Sequence, residues 1–305
     1  MPLIQFICPD NNRIGVRNCL AGCRMNHRCV ALSTLTAIAG TERVWDGRAH
    51  VTDLLNGTMY CWLRITKPYA IKPKSRAYAL LGSTHHKLIE EKNQFPSEIK
   101  VELIGIQGSV DSLEPNNNYK AGMLYFDLVD NKTWGSYKAM KALGLEEAGK
   151  IPDPSGARYS RSGKWGQAGS PKMIPQWREN PAKVDLVDEQ VQLNFYRMAL
   201  EDKGYPIADL KIQIVVRDGM SQVAYSRGVM ESMYFIDVIR VEDSVIINFL
   251  NNQYTRLKLA LEKGWYEPCL PHERWDDRRC LEYCDVWEDC PHGRLVRQQK
   301  GGDEN

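Results

Sequence analysis

Residues 103–114, LIGIQGSVDSLE, and 120–133, KAGMLYFDLVDNKT, decide the fold of this chain. Both alternate apolar with other side chains, and the turn signal PNNN at 115–118 separates them. Period-two alternation bounded by turn residues predicts two adjacent strands joined by a hairpin-like connection. Asp111 then ends a GSVD turn after the first strand, while Asp130 and Lys132, two apart on the second, share a face. A carboxylate and an ammonium can point into one cleft. Phosphodiester hydrolysis needs such support, because a divalent cation that polarises the phosphate and acidifies the attacking water must be held by carboxylates converging from rigid elements. Taken singly, acids of this kind are more often a turn residue and a solvated strand end, so the surrounding sequence has to decide.

Upstream, 75–92 (SRAYALLGSTHHKLIEEK) has helical spacing, with Ala79, Leu80, Leu88 and Ile89 as its apolar face. Downstream, 185–204 (DLVDEQVQLNFYRMALEDKG) repeats apolar residues at three and four between an Asp and a Gly, as capped helices do. Residues 210–219 and 231–242 read as strands, and 243–264 as a long helix with Asp or Ser near its start. Between 145 and 184 Gly, Pro and Ser are dense and apolar periodicity disappears, which predicts a long loop. Interleaved helices and strands predict an α/β fold, a mixed central sheet flanked by helices. The expected divisions are an N-terminal region at 1–75, a core at 76–264 carrying the 145–184 insertion, a cysteine-bearing cap at 265–297 and a disordered tail at 298–305. No internal repeat is expected.

An apolar share of 43% over 305 residues suffices for a sizeable core, and a net charge of +2 means that any nucleic-acid surface must be local. The chain has no apolar run of bilayer length, and the opening MPLIQFICPDNNR lacks the basic flank, apolar stretch and cleavage site of a secretory signal, so a cytoplasmic location is expected. Nine cysteines fall as Cys8, Cys19, Cys23 and Cys29 near one end and Cys269, Cys280, Cys284 and Cys290 near the other, with Cys61 apart. Clustered cysteines without a secretion signal read as metal ligands before disulfides. The densest group, Cys280, Cys284 and Cys290 in RRCLEYCDVWEDCPHG, needs a fourth ligand from elsewhere.

Four short patterns occur in order: G-x-x-x-H-x-x-x-E at Gly82 to Glu90, G-x-x-D at Gly108 to Asp111, D-x-K at Asp130 to Lys132, and Q-x-x-x-Y at Gln192 to Tyr196. Together they resemble the RecB-like branch of the PD-(D/E)xK nucleases. The resemblance implies a restriction-endonuclease-like sheet in which His86, chosen over His85 by spacing, joins Asp111, Asp130 and the backbone carbonyl of Asn131 in holding Mg²⁺ or Mn²⁺. It further implies that Lys132 positions the water and stabilises developing negative charge, while Gln192 and Tyr196 orient the lysine or the phosphate. An imidazole ligand makes Mn²⁺ a plausible preference.

One N-terminal and three C-terminal cysteines around the core resemble the iron-sulfur nucleases of that branch, the CRISPR-associated Cas-four proteins among them. A [4Fe–4S] cluster on Cys280, Cys284, Cys290 and either Cys23 or Cys29 is implied, with zinc as the alternative occupant. The first C-terminal gap is three residues, where that family usually has two. Cys269 and Cys19 are weaker candidates, and Cys8 and Cys61 read as core residues. Such a cluster would clasp the two ends of the fold. The implied activity is a metal-dependent DNA exonuclease acting on single-stranded ends in recombination, repair or CRISPR adaptation. A catalytically silent cysteine-metal DNA-binding adaptor and a sequence-specific endonuclease are the alternatives.

Residues 150–178 carry Lys150, Arg158, Arg161, Lys164, Lys172 and Arg178 against the single acid Asp153, with Tyr159, Trp165 and Trp177 interleaved. Cations for phosphates and rings for bases suit single-stranded nucleic acid. Because the segment leaves from and returns to the proposed cleft, it is expected to gate or thread the strand.

Overall fold

Chain packing starts from short, partly apolar strands at the N-terminal end. In the computed structural model, which describes residues 3–41, 45–120, 123–164 and 166–302, strand β1 (Leu3–Ile7) buries Leu3 and Phe6, with β2 (Arg13–Gly15) antiparallel and β3 (Tyr69–Ile71) parallel beside it. Helices α1 (Val16–Ala21), α2 (Leu32–Gly40), α3 (Val51–Leu54) and α4 (Thr58–Thr66) fill the N-terminal region. Met59, Cys61, Trp62 and Leu63 sink the inner face of α4 into the core. Helix α5 (Ala77–Lys92) follows a 3-10 turn at Pro73–Arg76.

The central sheet has the order β10-β9-β6-β5-β4, where β4 is Ser97–Leu103, β5 Ile106–Lys120, β6 Met123–Trp134, β9 Ile207–Val216 and β10 Met233–Val238. Neighbours are antiparallel except β6 and β9, which run parallel with Asp130 beside Ile212 and Lys132 beside Ile214. Parallel strands need a crossover. Here it contains α6 (Ser136–Ala142), a two-stranded ribbon of β7 (Leu145–Pro152) and β8 (Met173–Glu179), and α7 (Val187–Asp202). Every residue of α7 from Val191 to Leu200 is buried, since it lies between the sheet and helices α3 and α9 (Asp243–Lys263); the short α8 (Gln222–Tyr225) separates β9 from β10. Helix α9 buries Ile246, Leu250, Leu257 and Ala260 along one stripe and stops at Gly264, whose φ of 68° is the left-handed cap. Its first turn has no side-chain cap, and Asp243 instead pairs with Arg197 of α7. The fold is thus mixed α/β, with open sheets flanked by helices.

Several expectations need correction. Residues 103–114 are two strands, because Ile104 and Gly105, at φ 50° and 75°, form a two-residue hairpin turn between β4 and β5. PNNN is not a turn: β5 runs through it to Lys120, with Pro115 paired to Phe126, so the connection shifts to 121–122, outside the described residues. Proline is tolerated there because the register with β4 ends at Ser112, leaving β5 an edge on that side. Asp111 accordingly sits inside a strand. Within 145–184, residues 145–152 and 173–179 form the β7–β8 ribbon and the loop is confined to the stretch between them, while residues 298–302 continue α10 (Pro291–Gly302), leaving only 303–305 of the expected tail outside the described residues. No residue of α5 is buried, and Leu88 on its supposed apolar face is 56% exposed.

Candidate active site

Two strands and two helices bring the sequence-selected side chains together. On β6 the pleat puts Asp130 and Lys132 on one face, with Asp130 Oδ2 2.7 Å from Lys132 Nζ. On β5 Asp111 lies one position beyond the Ser112–Val129 pair, hence across from Asp130, and accepts a 2.7 Å hydrogen bond from the Asn131 N–H. Helix α5 passes β6 at Gly82, where an added Cβ would stand 3.1 Å from Thr133 Oγ1. One turn further on, His86 Nδ1 is 3.3 Å from Asp111 Oδ2. From α7, Gln192 Oε1 accepts from Lys132 Nζ at 3.4 Å, and Gln192 Nε2 donates to Tyr196 Oη at 3.1 Å. The Tyr196 ring packs against Gly108, where any Cβ would collide with it. The G-x-x-D and Q-x-x-x-Y patterns are therefore two sides of one packing contact.

Burial dominates the electrostatics. It pushes the Asp130 carboxyl up to about 6 against the pull of the Lys132 ammonium, and the Asp111 charge adds to the push. Burial also disfavours the Lys132 cation, yet the charges of Asp130 and Asp111 hold its pKa above the ordinary lysine value. Burial raises Asp111 too, but the His86 hydrogen bond, the His86 and Lys132 charges and the Asn131 N–H bring it below the usual carboxylate value. His86 is raised by its bond to Asp111, outweighing burial. The Tyr196 phenol, pushed up to about 12 by burial, stays protonated. His85 is lowered by burial, and its buried Nδ1 has no hydrogen-bond partner.

One member of this group has no place in the four sequence patterns. The β4–β5 register, Ser97 with Ser112 and Ile99 with Val110, sets Glu98 across from Asp111, and ligand atoms of His86, Glu98 and Asp111 lie within 4.8 Å of one another. Glu98 is held by a 2.6 Å hydrogen bond from Ser109 Oγ, with its own φ at 51°. A two-residue turn at Ile104–Gly105 would have predicted this pairing. Asn131 is 5% exposed, and the contact it makes in the site is through its N–H.

Comparison with protein-family models, curated proteins and solved structures gives no match.

The cysteines assemble differently from the expected one-plus-three arrangement. Cys280, Cys284 and Cys290 line a cavity whose fourth cysteine is Cys269, while Cys23 and Cys29 line a separate cavity together with Cys8 and Cys19. Cys8 is therefore not a simple core residue. Cys269 reaches its place because Gly57, at the start of α4, has no side chain to obstruct its sulfur. Cys61 remains apart and buried, its thiol 2.8 Å from the Asp53 carbonyl oxygen.

In the β7–β8 ribbon the aromatic residues have structural neighbours. Trp177 packs against Gly228 and Tyr159 against Gly166, so neither ring is the open base platform expected of it; Trp165 lies outside the described residues. Arg178 pairs with Glu146, and Arg158 donates to the Gly169 carbonyl oxygen at 2.6 Å. Lys150, Arg161 and Lys172 are exposed. No helix among the described residues is long and apolar enough to cross a membrane.

Proposed function

We propose that this protein is a divalent-metal-dependent DNA nuclease with a restriction-endonuclease-like core. The supporting observation is the convergence of four sequence-distant elements: His86 against Asp111, Asp111 across from Asp130, Asp130 against Lys132, and Lys132 against Gln192. Carboxylates with one imidazole make a donor set suited to Mg²⁺ or Mn²⁺. A second mark of fit is the buried Asp130 Oδ2, which has the Lys132 charge beside it but no well-directed hydrogen bond. When bound, the cation supplies Lewis-acid polarisation of the phosphate and a more acidic water. Asp111, Asp130, His86 and Glu98 would hold it. Lys132, fixed between Asp130 and Gln192, keeps its proton and places a positive charge where negative charge develops on the phosphate. Tyr196 and Gln192 keep that ammonium aimed.

The resemblance to iron-sulfur nucleases of the RecB-like branch favours single-stranded DNA ends as substrate and a metal-thiolate group on Cys280, Cys284 and Cys290. Fitting this, the cavity of these cysteines is closed by Cys269 and walled by Met59, Leu63 and Val286. A silent adaptor would have no need of an intact Asp111, Asp130 and Lys132 set. End-labelled single- and double-stranded DNA, incubated with Mn²⁺ and the purified protein, tests the proposal: cutting that requires Mn²⁺ and disappears in Lys132→Ala and Asp111→Ala is expected. No metal-dependent cleavage by the parent protein would overturn it.

A further inference from the structure

The two ends of the chain repeat one cysteine spacing. Cys8, Cys19, Cys23 and Cys29 are separated by ten, three and five residues, and so are Cys269, Cys280, Cys284 and Cys290. This C-x10-C-x3-C-x5-C repeat was not expected from composition or hydrophobic pattern, and the structure gives it the same local shape twice. In each copy the second cysteine is buried inside a short helical turn, Cys19 in α1 and Cys280 in the π-turn Arg279–Tyr283. The third cysteine leaves that turn, and the fourth precedes a helix, Cys29 before α2 and Cys290 before α10. An arginine donates to the carbonyl oxygen of the second cysteine in both, Arg28 to Cys19 at 2.9 Å and Arg297 to Cys280 at 2.9 Å.

We propose that the N-terminal quartet Cys8, Cys19, Cys23 and Cys29 is a complete metal-thiolate site of its own, binding a [4Fe–4S] cluster separate from the group held by the C-terminal quartet. All four cysteines line one cavity, walled by Ile14, Met25 and Leu35 and bordered by Arg24 and Arg28. An apolar wall excludes water from the cluster, and guanidinium groups offset the negative charge of four thiolates. Sulfur spacing argues for iron over zinc. Tetrahedral zinc, with Zn–S near 2.3 Å, draws its thiolates to about 3.8 Å from one another. Among the described residues no three cysteine sulfurs come within 4.8 Å of one another; the groups that do are His86 with Glu98 and Asp111, and Asp277 with Cys280 and His292. A [4Fe–4S] cube, which binds one thiolate on each of four separated irons, spreads its ligands more widely.

Iron and acid-labile sulfide counted on the full-length protein after anaerobic purification test the proposal, independently of whether DNA is cut. About eight of each per chain are expected for two clusters. Cys19→Ser and, separately, Cys29→Ser should each bring the count to about four while leaving the DNA-cleaving residues in place, and Cys280→Ser should remove the other four. About four irons in the parent protein, unchanged by Cys19→Ser, would overturn the proposal. So would zinc bound in place of iron at the N-terminal quartet. A parent count of about eight supports the proposal even where a variant fails to fold, and with a count of about four the separate Cys29→Ser variant repeats the test if Cys19→Ser does not fold.

Discussion

Lys132 is held from both sides, by Asp130 at 2.7 Å and Gln192 at 3.4 Å, so its charge is fixed in place before substrate arrives. Lys132→Ala should reduce cleavage by about 10³-fold, as loss of a preorganised charge partner does, with DNA affinity little changed. Glu98→Gln should instead raise the Mn²⁺ requirement by about tenfold; single-turnover cutting over a Mn²⁺ series separates the two effects. Protonation gives a further test. Asp130 gains proton affinity on folding, so its contribution to stability is complete below 3.8 and is lost as pH rises through about 6. His86, also raised, contributes fully below 6.5 and loses that contribution as pH rises through its folded value. Asp111 is lowered, and its contribution disappears only in acid, below 3.8. Between about pH 5 and 8 the protein without divalent cation should therefore lose on the order of 2 kcal/mol, and saturating Mn²⁺ should flatten the loss by replacing the protons. Thermal unfolding at several pH values checks this, and a stability that rises over that range without metal would contradict it. Asp130 and Lys132 were legible in the sequence because strand alternation alone puts them on one face. Glu98 was not, because Ile104 occupies a positive-φ position that turn statistics reserve for Asn, Asp or Gly, leaving the β4–β5 register unmarked.

Elements with a one-sided apolar stripe could be read directly. The span of α9 follows from Ile246, Leu250, Leu257 and Ala260, and α7 from its continuous apolar repeat. The β7–β8 ribbon escaped because most of its residues are exposed on both faces, so no alternation is imposed, and its Gly and Pro content imitates a loop. Helix α5 was visible as a helix but not in its orientation. It leaves Tyr78, Leu81 and Leu88 more than half exposed while His86 faces the sheet. The proposed part of this segment in DNA binding would fall to its cations, since Trp177 and Tyr159 are engaged in packing. Replacing Lys150, Arg161 and Lys172 with serine should weaken single-stranded DNA binding and lower the slope of log affinity against log salt by about 0.7 for each phosphate no longer neutralised. Fluorescence anisotropy at several salt concentrations measures that slope; an unchanged slope would remove the ribbon from the DNA path.

At the scale of the whole molecule, the cysteine regions are tied to each other and to the core that carries the proposed site through ion pairs. Arg13, between Cys8 and Cys19, pairs with Glu288, between Cys284 and Cys290. Asp285, next to Cys284, receives Arg64 of α4 at 3.1 Å and Arg76 at 2.7 Å. Arg76 ends the turn from which α5 starts, and α5 carries His86. The C-terminal cysteine segment is thereby fastened to the root of the helix that would supply an imidazole to the proposed metal site. Little of this was visible in sequence, where Arg76 and Asp285 are 209 positions apart and only folding makes them neighbours. With side chains 14–25% exposed, these pairs are substantially desolvated, so removing Asp285 breaks two partly buried ion pairs at once. Asp285→Ala should cost about 3 kcal/mol of stability. It should also raise the Mn²⁺ concentration needed for cutting, because α5 loses its anchor, while Lys132, Asp130 and Asp111 keep their strand positions. Denaturant unfolding measures the first effect and Mn²⁺-titrated cleavage of labelled DNA the second. A variant destabilised by that amount with an unchanged Mn²⁺ requirement would show that the cysteine segment supports the fold without reaching the site.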